Sequence, residues 1–368
     1  MTVTPITTEL GHSLPPEESH TITLHAPGWD NAIRFRNKDM ELFSKMVSMY
    51  PRFAPWGEAS QVCISLPPLL IHPSTNHPQL VNAIHSKLGL PKDHGCLPFT
   101  HPDAFTAAKT YAFSSHRKPK DGKLSPPELK FRIVDIASVR LYLIIFPAAK
   151  TGGILGMWQN NGTGISTRQA EDLLKHVDDS FTIHEFSATG EDDVSIDKIP
   201  EGSYLPEVEA HQKLKERIVG LLQRESIVPE IAAKLVPDDV YLYSTGMAAI
   251  YYLHKVLTEK VQRGTTVVLG AVFHNSWHVF EEQSPAGFRH FGKCTSREDL
   301  DELEAYLEGE RVAGRRISYL FVEFPSNPIL VSADLGRLRE LVGFSFSFSF
   351  QVLLMRWFWL FRIILFIF

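Results

Sequence analysis

The chain has 368 residues, 44% of them hydrophobic and 21% charged, which is enough apolar material for more than one buried core. A formal charge of −5 gives no basic excess for a nucleic-acid backbone or an anionic membrane surface, so polyanion binding is disfavoured. The three cysteines, Cys63, Cys96 and Cys294, are far apart and form neither a disulfide framework nor a CxxC zinc motif, which fits a reducing compartment.

The N-terminal string "MTVTPITTELGHSLPPEESH" carries acidic residues and prolines where a secretory signal needs a basic start and an apolar run, so a cytoplasmic protein is expected. Further on, "SSHRKPKDGKLSPPE" is polar and proline-rich and reads as a surface loop. "RIVDIASVRLYLIIFP" reads as strands rich in branched and aromatic residues, and "STRQAEDLLKHV" as a helix that opens with capping residues. "GTGIST", Gly162 to Thr167, lacks the third glycine of a dinucleotide loop and reads as a turn. The acidic segment "SATGEDDVSIDKIPEGSYLPE" has Gly and Pro punctuation and little periodicity, which places a domain boundary near residue 200 after a mixed α and β region.

Beyond that boundary, "EVEAHQKLKERIVGLLQRE" sets Leu214, Ile218, Leu221 and Leu222 at helical spacing and predicts a helix with one face packed inward. "VYLYS" predicts a strand, "GMAAIYYLHKVLTEKV" a helix, "TTVVLG" a strand, then another helix, then the strand "ISYLFVEFP". Short apolar strands alternating with helices indicate crossover units and a parallel sheet, an α/β domain whose ligands bind where strands end.

Two such ends stand out. In "YSTGMAAI", Gly246 lets backbone approach a ligand, and the free amides of the following helix favour an anion such as phosphate. Taken alone, the same turn reads first as a plain strand-to-helix connection with no ligand. In "YLFVEFPSNPIL", the strand must stop at Pro325, and Asn327 presents an amide donor at the same sheet edge, or else merely closes a proline turn.

Together these motifs resemble the Cys/Met-metabolism family of pyridoxal-phosphate enzymes, and within it the fungal cystathionine gamma-synthases. The resemblance runs from Gly11 to Val342 and includes the N-terminal string "GHSLPPEESHTITLHAPGWDNAIRF". It implies a fold-type I transferase domain, incomplete here, with a mostly parallel sheet and flanking helices, over residues 201–342, preceded by an α+β fungal-type extension over 1–200. It implies pyridoxal 5'-phosphate as cofactor, held through the amides of Gly246 and Met247, with Asn327 beside the pyridine oxygen. It also matches "YPRF" to the family's Tyr-x-Arg element, so that Tyr50 and Arg52 reach the phosphate of a neighbouring subunit in a homo-oligomer, a dimer or tetramer. Where the family stacks a tyrosine on the cofactor, "GAVFHNSWH" offers Phe273, which keeps the stacking ring and loses the hydroxyl.

The implied reaction joins cysteine to an O-acylated homoserine by gamma-replacement, as in transsulfuration and methionine biosynthesis. Cystathionine gamma- or beta-lyase and O-acetylhomoserine sulfhydrylase remain alternatives, as does a non-catalytic, tail-anchored or regulatory protein on the same scaffold. In the family, the lysine that carries the cofactor and the acid that protonates its ring follow the "SNP" turn. Lys293 is the last lysine of this chain, and Asp334 is the only aspartate after Asn327 and reads as a helix cap. No catalytic residue is therefore identifiable. His274 and His278 are four apart, but "HNSWH" lacks the glutamate of HExxH, and no metal is expected.

The last stretch, "FSFSFSFQVLLMRWFWLFRIILFIF", forms a separate hydrophobic tail, 343–368, unlike the family. The run from Val352 is shorter than the roughly 20 apolar residues of a spanning helix and contains Arg356 and Arg362. Alternating Phe and Ser codons can be spelled by a pyrimidine tract, so the tail is expected to be translated intron, with the missing lysine encoded beyond a splice near Val342.

Overall fold

The computed structural model describes residues 7–14, 25–37, 39–43, 45, 76–119, 122–203, 206–224, 226, 229–261, 263–294, 296–327, 329–345, 352–358 and 361–367. The chain divides into two compact units, residues 1–159 with 163–204, and residues 160–162 with 205–368.

The first unit contains helices α1 (Trp29–Arg36), α2 (Asn76–Lys87), α3 (Asp103–Phe113) and α4 (Thr167–Leu174). Its antiparallel sheet has four strands, β1 (His94–Phe99), β2 (Lys130–Ile136), β3 (Val139–Pro147) and β4 (Thr182–Thr189), in the order β1-β3-β2-β4. The strands foreseen in "RIVDIASVRLYLIIFP" are β2 and β3, joined by a two-residue hairpin with Ile136 opposite Val139. Because β3 is central, its apolar run is buried on both faces. Tyr142, Ile144 and Phe146 pack with Phe105 and Ala108 of α3, while Leu141, Leu143 and Ile145 pack with Leu80 and Ile84 of α2 and Leu173 of α4. Each such side chain withdrawn from water contributes about 1.5–3 kcal/mol. The cap foreseen for α4 is present, with the Ser166 hydroxyl accepting the N–H of Gln169 at 3.1 Å.

The second unit contains α5 (Glu209–Gln223), α6 (Gly246–Val256), β5 (Thr265–Leu269), α7 (His274–Gln283), β6 (Phe288–Phe291), α8 (Arg297–Val312), β7 (Ile317–Phe324) and α9 (Leu335–Ser345). The strands β5, β6 and β7 pair in parallel, as the alternation of strand and helix requires. Val268, Tyr319 and Phe321 face α6 and α7, and Val267, Leu269, Leu320 and Val322 face α8 and α9, so the sheet is covered on both sides. Two further strands, β8 (Val352–Phe358) and β9 (Phe361–Ile367), lie in the stretch expected to stand apart as a tail. Their backbones extend the sheet in the order β6-β5-β7-β8-β9, β8 parallel to β7 and β9 antiparallel to β8. No helix among the described residues is long and apolar enough to cross a membrane.

Two local expectations fail. "VYLYS" forms no strand: Tyr241 is 72% exposed, and the Tyr243 ring stacks on Tyr252 of α6 instead of joining a ladder. A strand needs a paired neighbour, and propensity alone does not supply one. In α5, Leu214 is 39% and Leu221 47% exposed, and Val219 is the buried position. Among the described residues that helix packs on Pro229–Ala232 and Pro237–Asp239, so only part of its apolar stripe, Ile218 and Leu222 half-buried beside Val219, is covered.

Candidate cofactor-binding site

The start of α6 is built around Thr245. Its extended backbone (φ −144°, ψ 158°) turns the chain into the helix, and its hydroxyl accepts the N–H of Ala248 at 2.9 Å. The same hydroxyl donates to the carbonyl of Gly162 at 2.8 Å. Gly162 has φ +65°, and a Cβ there would lie 2.4 Å from Thr245 Oγ1 and 2.7 Å from Met247 Cβ. Only a glycine permits that approach. Gly246 and Met247 follow as the first two helical residues, so their amides belong to the set with no carbonyl partner within the helix, at the positive end of its dipole. This is an anion-accepting end.

A second line of contacts joins the helix start to the ends of the strands. Glu323, near the carboxyl end of β7, is 1% exposed. Its Oε1 accepts the backbone N–H of Phe273 at 3.0 Å and lies 3.3 Å from Ser276 Oγ. Ser276 Oγ in turn lies 3.9 Å from Met247 Sδ. Phe273 is the residue that caps α7, half-buried just beyond the end of β5. A carboxylate at a helix start is favoured by the helix dipole, which offsets part of the cost of burying it.

After β7 the chain passes through a cis Phe324–Pro325 bond into a closed turn. Ser326 donates its N–H to the carbonyl of Val331 at 2.8 Å, its hydroxyl accepts the N–H of Val331 at 3.1 Å, and its carbonyl accepts the N–H of Leu330 at 2.9 Å. Asn327 sits half-buried in this turn. Asp334 accepts the N–H of Arg337 at 3.0 Å through Oδ1, which makes it the cap of α9.

Of the residues singled out by sequence, Gly246, Met247 and Phe273 are thus drawn into one connected arrangement through Ser276 and Glu323, and Asn327 follows four residues after Glu323. Tyr50 and Arg52 lie outside the described residues. Gly162, Ser276 and Glu323 were not foreseen. The signal available for Glu323 was a lone charge closing the apolar run "YLFVEFP".

The contacts of Ser276 with Met247 and Glu323 thus bring a helix start close to the carboxyl end of a parallel strand, the region where α/β folds in general place ligands. No protein-family model matches the chain. Among known proteins, it is 27% identical over 91% of its length to a cystathionine gamma-synthase-like protein of Aspergillus thermomutatus, of which 56% is covered. It is 25% identical over 90% of its length to the cystathionine gamma-synthase of Neurospora crassa, covering 63% of that chain. An alanine racemase of Aspergillus violaceofuscus is 33% identical over 55% of this chain and 34% of its own. An archaeal alanine:glyoxylate aminotransferase matches 39% of this chain and 34% of its own with a TM-score of 0.31 at 16% identity, too slight to bear on fold or function. Over about nine-tenths of its length, then, the chain is a homologue of fungal proteins named cystathionine gamma-synthase or cystathionine gamma-synthase-like, in agreement with the resemblance of its motifs. It spans from a third to under two-thirds of the length of these three relatives.

Proposed function

We propose that this chain carries a pyridoxal-phosphate site of the cystathionine gamma-synthase type. The observation that supports it is the connection of Met247, Ser276, Glu323 and Phe273, which sets an anion-accepting helix start beside an aromatic ring at the ends of β5 and β7. The phosphate end of the cofactor fits: the amides of Gly246 and Met247 would hold it, Phe273 would lie against the pyridine ring, and Asn327 would donate to the ring oxygen. Arg52 and Tyr50 of a second copy would complete the phosphate site in a dimer or tetramer. When bound, the cofactor supplies an electron sink for removing protons next to an amino group.

The reactive end does not fit. No lysine follows Lys293, which is exposed after β6, and Asp334 is spent on capping α9. On this reading the 368 residues would hold the phosphate end of the cofactor, and gamma-replacement of an O-acylated homoserine by cysteine would need a cofactor-carrying lysine that they do not place after Asn327. The alanine racemase relative, more identical over a shorter stretch, favours amino-acid racemisation as the second reading.

Fluorescence titration of the 368-residue chain tests the binding half. Pyridoxal phosphate should bind about ten-fold or more tighter than pyridoxal, roughly 1.4 kcal/mol for the phosphate, and borohydride should leave no stoichiometric pyridoxyl label. Equal affinities, or stoichiometric labelling, would sink it. A lysine-bearing form assayed for cystathionine formation, cystathionine breakdown and D-alanine formation decides among synthase, lyase and racemase by whichever is fastest.

A further inference from the structure

The second unit holds a side-chain cluster that the cofactor site leaves unused. On α7, His274, His278, Glu281 and Glu282 recur at intervals of three and four residues, which stacks them along one helix face. His278 Nδ1 lies 3.4 Å from Glu282 Oε1 and 3.9 Å from Glu281 Oε2. One ligand atom from each of the three lies within 4.8 Å of the others. Donors that share one zinc ion, each about 2.0–2.2 Å from it, stand about 3–4 Å apart, so the three need only small rotations to converge.

The two nitrogens of His278 face different ways. Nδ1, on the glutamate side, is shut off from solvent and makes no hydrogen bond. Nε2 lies 3.2 Å from His274 Nε2. The Trp277 ring, 5.1 Å from that of His278, shields one side of the imidazole.

We propose that His278 Nδ1, Glu281 and Glu282 bind one divalent transition-metal ion, zinc being the representative case, and that His274 acts behind them by fixing the tautomer of His278. An ion on Nδ1 leaves the His278 proton on Nε2, where it donates to His274 Nε2. One imidazole and two carboxylates on a single rigid element suit zinc and its neighbours, with the remaining positions left to water. Glu282 is only 7% exposed, so a cation would neutralise a carboxylate that water reaches poorly. The sequence alone set the two histidines aside because HExxH was absent; here the carboxylates follow the second histidine, one turn further along the helix.

The test uses the 368-residue chain, stripped with a chelator and dialysed against zinc chloride, with metal counted by mass spectrometry and affinity read by dye competition. Wild type should hold one tight zinc more than His278→Gln, and His274→Gln should weaken that site about ten- to hundred-fold. Circular dichroism checks that each variant folds. If His278→Gln does not fold, Glu281→Gln, at a more exposed carboxylate, carries the same comparison. Equal zinc content and affinity in wild type and the folded variants, or no tight zinc in wild type, would overturn the proposal.

Discussion

The carboxylate of Glu323 accepts the backbone N–H of Phe273 at 3.0 Å, so the end of β7 fixes where α7 begins. The same oxygen lies 3.3 Å from the hydroxyl of Ser276. Removing the side chain takes the acceptor from the part-buried N–H of Phe273 and the buried hydroxyl of Ser276. Glu323→Ala should therefore lower stability by about 2–3 kcal/mol, read as a lower urea midpoint. Glu323→Gln should cost less, because its amide oxygen can still accept. An alanine variant as stable as wild type would show that the contact contributes nothing.

Gly162 presents a second point of leverage, 83 residues before the helix it supports. At φ +65° any side chain is strained, and a Cβ would press on Thr245 Oγ1 at 2.4 Å. Gly162→Ala should cost about 1–2 kcal/mol for the backbone alone. Because Thr245 shapes the first turn of α6, the same change should also weaken pyridoxal-phosphate affinity. Unchanged affinity in a folded variant would separate Gly162 from the site.

What the sequence disclosed follows from how local each feature is. β5 and β7 were legible because "TTVVLG" and "ISYLFVEFP" are short apolar runs, buried on both faces of a covered sheet, and α6 because "GMAAIYYLHKV" opens on a glycine turn and continues as a helical apolar stretch. "VYLYS" misled because its composition suits a strand, yet no partner strand lies beside it among the described residues, and Tyr243 stacks on Tyr252 instead. The inward face foreseen for α5 misled in the same way: spacing fixes which residues share a face, not whether anything covers it, and Leu214 and Leu221 remain exposed. Gly246 and Met247 could be singled out from a local turn, whereas the supports of that turn, Gly162 and Glu323, act through contacts at long sequence separation. A linear pattern can flag Glu323 as a lone charge closing an apolar run, but it does not say what that charge will touch.

Arg52 gives a test of assembly. The resemblance of "YPRF" assigns it to the phosphate of a neighbouring copy, where a planar guanidinium can meet two phosphate oxygens at once. Arg52→Ala should weaken pyridoxal-phosphate affinity by about ten- to hundred-fold, in line with roughly 1.5–3 kcal/mol for a charged hydrogen bond, and leave the circular dichroism spectrum unchanged. Light scattering should find wild type at least dimeric. A monomeric wild type whose cofactor affinity is matched by the Arg52→Ala variant would count against a shared site.

His254 sets a pH dependence of stability. It is buried, its Nδ1 lies 2.7 Å from the Tyr319 hydroxyl, and its Nε2 lies 3.1 Å from the carbonyl of Gln283. The carbonyl can only accept, so Nε2 carries the proton and Nδ1 accepts from Tyr319, which describes a neutral ring with both nitrogens satisfied. Burial lowers its pKa from 6.5 to about 4, and also raises that of Tyr319 well above the usual phenol value. Between those limits the unfolded chain binds a proton that the folded chain refuses. The contribution of neutral His254 is thus fully present above pH 6.5, declines as pH falls, and is lost by the time pH reaches about 4. In urea unfolding from pH 7.5 downward, the stability gap between wild type and His254→Asn should stay constant to about pH 6.5, then shrink by about 1.4 kcal/mol per pH unit. A gap that stays constant through pH 5 would mean that His254 is protonated as readily in the folded protein as in the unfolded one.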